Sequence, residues 1–119
     1  MKFKFLELAK ELSFSSSHKQ HHHGAVIAKK NRVLGKGFNQ HKTHSLSNHP
    51  YYSVHAELAA ILDSRGSNIE GATLYIYRQK RDGSSANSKP CPYCEQLLRQ
   101  YGIKDCYYTS ELGVEYLIL

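Results

Sequence analysis

Apolar positions along this chain come in short blocks, and their spacing switches between helical and extended periods. Phe5, Leu8, Ala9 and Leu12 recur at the interval that lines one face of a helix, predicting an amphipathic helix over residues 2–13. A serine-rich break follows at 13–17. Ala25-Val26-Ile27-Ala28, then Lys30-Asn31, then Val33-Leu34-Gly35-Lys36-Gly37-Phe38 read as two strands joined by a tight turn. Residues 40–53, rich in His, Ser and Asn, read as a loop. Residues 55–62 are good helix formers, with Ser53 as the candidate cap and Gly66 and Gly71 around the exit. The mostly apolar run 73–77 predicts a central strand. Residues 79–89 form a polar loop. A helix is expected over 90–101, with Pro early and Gly102 just past its end. Strands at 105–109 and 114–119 complete the chain, with a turn at 111–113.

This order, helix, two strands, helix, strand, helix, two strands, predicts an α/β fold. Helices between the later strands favour a three-layer α/β/α sandwich around a mixed, five-stranded central sheet. The gap before the last strand is too short for a helical crossover, so that strand is expected to return antiparallel.

With 119 residues the chain fits one domain, 1–119, and its 40% hydrophobic and 22% charged content is ordinary for a globular protein. No apolar run is long enough to cross a membrane, and Met1-Lys2-Phe3-Lys4-Phe5 lacks the apolar core of a secretory signal. A soluble cytoplasmic protein is expected. Three cysteines, an odd count, point to metal or catalytic use rather than a disulfide framework. The formal charge of +6 favours partners that carry phosphate, either nucleotides or nucleic acid.

Two motifs bring chemistry: His55-Ala56-Glu57 and Pro90-Cys91-Pro92-Tyr93-Cys94. Two cysteines three apart at a helix start turn both sulfurs toward one point, and the positive helix end favours the thiolates that metals need. One imidazole with two thiolates suits zinc. Three protein ligands leave a fourth position for water, the pattern of a catalytic centre. Glu57 shares the first helical turn with His55, where it can take a proton from that water and return it to a substrate. The cysteine pair alone is also compatible with a redox pair, or with a structural zinc site closed by His41, His44 or His49.

With both motifs present, the chain resembles the cytidine/deoxycytidylate deaminase superfamily, zinc-dependent nucleobase deaminases, from about Gly24 to Thr109. The resemblance implies hydrolysis of an exocyclic amine, with Zn2+ on His55, Cys91 and Cys94 and with Glu57 moving the protons. Gly24-Ala25-Val26-Ile27 followed by Gly37-Phe38-Asn39 is similar to the family's first hairpin. By that match Asn39 would hydrogen-bond the substrate sugar, and the backbone near Ala25 and Ala56 would face the base. The Lys89 carbonyl would accept from the leaving amine. Many relatives carry Ser, Thr or Glu at that position, so the Lys89 side chain is a departure. Residues 39–44 and Ser88-Lys89-Pro90-Cys91 look like small deoxycytidylate-type deaminases, whereas the short final hairpin looks like the free-cytidine branch. The expected substrate is a cytosine nucleotide such as deoxycytidylate. A base in single-stranded DNA or RNA, cytosine or adenine, is the alternative. Relatives of this size often assemble, which implies a homo-oligomer.

Outside the motifs, His18, His21, His22 and His23 read as a loop at the site rim, and Cys106 as a buried, inert thiol. Tyr107 and Tyr108 must face opposite sides of their strand. Tyr108 is the one expected to stack on a base at the site mouth. Lys29, Lys30 and Arg32 lie at the hairpin turn, far from Asn39. Lys42, Arg78, Lys80, Arg81 and Lys89 lie in or beside loops expected to converge on the metal, where one or two could hold a phosphate.

Overall fold

The computed structural model describes residues 2–15, 22–39, 55–65, 67–80, 82 and 84–119. Helix α1 (Phe3–Ser13) leads into strands β1 (His22–Lys29) and β2 (Arg32–Phe38). Helix α2 (Ala56–Asp63), strand β3 (Thr73–Gln79) and the two-residue strand β4 (Ser85–Ala86) follow. Helix α3 (Pro92–Gln100), strand β5 (Asp105–Ser110) and strand β6 (Gly113–Ile118) complete the order.

The strands lie in the order β2-β1-β3-β5-β6. β1 runs antiparallel to β2 and β3, whereas β3 and β5 are parallel and joined through α3. β6 returns antiparallel to β5, as its short connection requires. The sheet has one strand more than the pattern predicts, because β4 forms within the expected loop 79–89. β5 accompanies β3 only as far as Ile76↔Tyr108, and beyond it Ser85 and Ala86 take up pairing with Gln79 and Arg78. His22 and His23 are likewise strand residues, paired with Gln79 and Arg78, and not part of a rim loop.

Side-chain alternation divides the core into two layers. On one face Phe5, Leu6 and Ala9 of α1 pack against Val26, Ala28 and Tyr75. On the other, Ala25, Ile27, Leu74, Ile76 and Cys106 meet Ala56, Ala60 and Ile61 of α2 and Leu98 of α3. The result is a three-layer sandwich. Two glycines let the helices approach closely. A Cβ on Gly24 would collide with the Ala9 carbonyl, and one on Gly37 would lie 2.6 Å from both Ala59 Cβ and Ala60 N. The second helix layer carries the chemistry.

Candidate active site

The starts of α2 and α3 meet, and both sequence motifs lie at that meeting point. His55 occupies the N-cap of α2 in extended conformation and makes no capping hydrogen bond. Ser53, the expected cap, lies outside the described residues. The imidazole is turned across to α3, with Nδ1 3.2 Å from Cys94 Sγ. α3 begins at Pro92 rather than Pro90, so Cys91 becomes its N-cap and its sulfur accepts from the Cys94 backbone N–H at 3.5 Å. Both helices aim their positive ends at this point.

The ligand atoms of His55, Cys91 and Cys94 all lie within 4.8 Å of one another. Tetrahedral zinc with bonds of about 2.0–2.3 Å separates its ligand atoms by roughly 3.3–3.8 Å, so small side-chain adjustments bring the three onto one cation. No fourth His, Cys, Asp or Glu joins them among the described residues. His41, His44 and His49 lie outside those residues. The donor set fits zinc, and no fourth side chain of these types takes the remaining corner among the described residues.

Hydrogen bonds from the Cys94 thiol and then from His55 pull the Cys91 thiol down to about 3. The same contact with Cys91, with burial added, raises the Cys94 thiol. His55 is raised by its hydrogen bond to Cys91; burial opposes this and Glu57 supports it. Glu57 is the second residue of α2 and is buried at 5% exposure. Burial pushes its carboxyl up while the His55 charge pulls it down. A carboxyl raised this way can exchange protons nearer neutrality than an ordinary glutamate.

The segment leading into Cys91 is pinned by buried hydroxyls that carry no signature in the sequence. The Thr109 N–H donates to Ser88 Oγ at 2.7 Å, and the Ser88 N–H donates to the Thr109 carbonyl at 2.8 Å. Thr109 Oγ1 donates to the Ala86 carbonyl and accepts from the Arg78 N–H. Ser88 therefore ties the approach to Pro90 and Cys91 onto β5.

A family model described as the cytidine and deoxycytidylate deaminase zinc-binding region matches residues 2–110. The chain belongs to this deaminase family. The match takes in α1, beyond the stretch that carries the sequence resemblance. Among solved structures, dCMP deaminase from the cyanophage S-TIM5 in apo form is 25% identical with a TM-score of 0.71, covering 92% of this chain and 86% of that one. The phage enzyme in complex with dCMP and dUMP gives the same TM-score at 24% identity, over 92% and 84% of the two chains. Cytidine deaminase from Burkholderia pseudomallei shares the fold with a TM-score of 0.73 at 17% identity, over 99% and 92%. No curated protein sequence matches the chain significantly.

Within this deaminase fold, the remaining candidate residues fall in several environments. Ala25 and Ala56 are buried together in the core cluster of the α2 and α3 face. Asn39 directly follows β2 and is buried, with Oδ1 accepting from the His23 N–H at 2.9 Å. Tyr108 packs against the cluster on the motif-bearing face. Tyr107 points the other way and stacks on Tyr75 with ring centroids 5.4 Å apart. The Lys89 side chain is exposed, and its N–H donates to Asn87 Oδ1. Cys106 is fully buried, which raises its thiol and leaves it a core residue. Among the basic residues, Lys80 is paired with Glu111 at 3.0 Å and Arg78 Nη1 donates to the Asn87 carbonyl. Lys42, Arg81, His18 and His21 lie outside the described residues.

Proposed function

We propose that the protein hydrolyses the 4-amino group of a cytosine nucleotide, with deoxycytidylate the leading substrate, giving the uracil nucleotide and ammonia. The observation that carries this reading is the convergence of His55, Cys91 and Cys94 at the start of the helix that also carries a buried carboxyl, Glu57. The phage relative described in complex with dCMP and dUMP supports the nucleotide over the free base.

His55, Cys91 and Cys94 would hold zinc, which would supply a water acidified to near neutrality and Lewis acidity toward the substrate. Glu57 takes a proton from the water as its oxygen bonds to C4, and delivers that proton to N3. Glu57 then carries the second water proton to the amine, the C4–N bond breaks, and ammonia leaves. Asn39 orients the sugar. The backbone at Ala25 and Ala56 lies along the base, the Lys89 carbonyl accepts from the amine, and Tyr108 stacks at the mouth. Burial of Glu57 excludes bulk water from the proton path.

The protein acts on dissolved substrate in the cytoplasm and assembles as a homo-oligomer. No helix among the described residues is long and apolar enough to cross a membrane. An ammonia-release screen tests the substrate: zinc-loaded protein is offered deoxycytidine, deoxycytidylate, cytidylate, the adenine counterparts and a cytosine-containing oligonucleotide. Deoxycytidylate should turn over fastest. Release from the oligonucleotide alone, falling steeply with salt, would move the assignment to single-stranded nucleic acid. No release from any base would remove the enzymatic reading.

A further inference from the structure

Alternation along β1 and β3 continues past the core to the strand ends beside the metal-binding cluster. Ala25 and Ile27 of β1 face α2 and α3, and so do Leu74 and Ile76 of β3. Val26, Ala28 and Tyr75 face α1, with Tyr77 packed against that layer. Two residues out from Ala25 and from Ile76, the period of two puts His23 and Arg78 on the motif-bearing face. The register makes them direct neighbours, because Ala25 pairs with Ile76 and His23 pairs with Arg78. Cβ atoms of such a pair lie about 4.5–5.5 Å apart.

Both residues flank the site already described. Ala25 and Ile76 share a buried cluster with Ala56, the residue after His55. The pair stands one strand step, about 7 Å, beyond them. Arg78 Nη1 donates to the Asn87 carbonyl at 3.2 Å, and the Arg78 N–H donates to Thr109 Oγ1. Those bonds hold the guanidinium against the segment that runs into Cys91. His23 is locked to Asn39, donating its N–H to Asn39 Oδ1 at 2.9 Å and accepting the Asn39 N–H on its carbonyl at 3.3 Å. Asn39, His23 and Arg78 therefore form a row across neighbouring strands, at about 4.8 Å per strand.

Charge selects Arg78 from the basic residues that the sequence groups around the metal. Lys80 is exposed and paired with Glu111, and the Lys89 side chain is exposed. Arg78 is half-buried with Nε enclosed, so solvent and salt screen its charge less than they screen a surface lysine. A guanidinium is a rigid fork of five donors, and a carbonyl that holds one of them fixes the direction of the others. The His23 imidazole sets a further hydrogen-bonding group beside it.

We propose, on the reading that the substrate is a cytosine nucleotide, that His23 and Arg78 bind the phosphate on its sugar and so set the preference for the mononucleotide over the nucleoside. The base lies along Ala25 and Ala56, Asn39 takes the sugar, and the phosphate continues along the same row to the next two strands. Arg78 grips the phosphate through charge-assisted bonds, and His23 donates to a further oxygen. The same guanidinium holds the Asn87 carbonyl, so the bound phosphate and the cysteine-bearing segment share one anchor.

Binding of the reaction product tests the pair without depending on turnover. Zinc-loaded protein is titrated calorimetrically with deoxyuridylate and with deoxyuridine, which differ only in the phosphate. The parent should bind deoxyuridylate the more tightly. Arg78→Gln should weaken deoxyuridylate about 10–100-fold and His23→Leu about 3–10-fold, with deoxyuridine affinity unchanged in both. His23→Leu leaves the Asn87 bond in place, so its loss reports the phosphate even if Arg78→Gln disturbs the segment before Cys91. Equal affinity of the parent for the two ligands, equal weakening of both ligands in both variants, or a phosphate preference that survives in both would each overturn the assignment. The reaction stands or falls separately. A protein that releases no ammonia from deoxycytidylate, yet shows the preference and loses it in the variants, keeps the phosphate subsite and loses the reaction. Turnover of deoxycytidylate with the preference intact in both variants keeps the reaction and removes the subsite.

Discussion

Glu57 is enclosed by the core at the start of α2, beside the His55, Cys91 and Cys94 cluster, and forms no salt bridge with a Lys or Arg among the described residues. A purely structural glutamate so placed would cost stability for no return. Glu57→Gln keeps the volume and removes the proton carrier. The variant should fold, bind zinc as the parent does, and lose about 10²–10⁴-fold in ammonia release. Metal content and turnover measured on one preparation check this. Near-normal turnover would end the role given to Glu57. The cysteines make a second prediction at this scale, in metal-free protein. Cys91, held at about 3, is a thiolate across the neutral range, whereas Cys94 and Cys106 are both raised. An ordinary thiol is almost wholly protonated at about pH 6. Iodoacetamide should therefore label Cys91 first, at a rate scarcely changed between about pH 5 and 8, and zinc should protect it. Peptide mass spectrometry reads the order, and equal labelling of the three would contradict it.

At the scale of elements, the site depends on how tightly α2 is pressed to the sheet. Gly37 in β2 leaves room for the α2 backbone at Ala59 and Ala60, one turn from His55. Gly37→Ala should force the helix outward, costing about 1–3 kcal/mol, and should loosen zinc because one ligand rides on α2. A lower urea midpoint together with faster zinc loss to a chelator is the expected pair of results. Loss of stability with normal zinc retention would show that His55 is placed independently of α2. The helices were legible because their signals are local, apolar spacing in α1 and Gly102 with φ 80° just past the end of α3, although α3 starts at the second proline, Pro92, and not at Pro90. β4 was not legible. Ser85 and Ala86 become a strand only because β3 outruns β5 and leaves an open edge.

For the molecule as a whole, β6 is an edge strand with an uncovered apolar face. Val114, Tyr116 and Ile118 are 40%, 50% and 74% exposed, and Leu112 in the preceding turn is 95% exposed. Tyr116 extends the aromatic row of Tyr75 and Tyr107 beyond the cover of α1. Apolar edges of this kind are usually covered by a partner. Sedimentation at micromolar concentration should therefore give a species larger than one chain. The double variant Val114→Lys, Ile118→Lys should dissociate it if the face lies in the interface. A parent protein that sediments as a monomer would refute the assembly.

Residues close in sequence share a helical turn or a strand, so the sequence by itself determined the three helices and five main strands in order, the antiparallel last strand and the two motifs, His55 with Glu57 and Cys91 with Cys94. A family resemblance read from those same motifs reached the right family, although the family match extends further, to the first helix. Only the tertiary structure decided how far the two motifs stand from each other, with Nδ1 of His55 3.2 Å from Cys94 Sγ. It also decided that Tyr108 and not Tyr107 faces the motif-bearing layer, that Lys80 is spent on Glu111, and that Ser88 is latched to Thr109. Each of these depends on register or on contact between residues 20 or more apart in the chain, and a contact at that distance leaves no periodic trace in the local sequence.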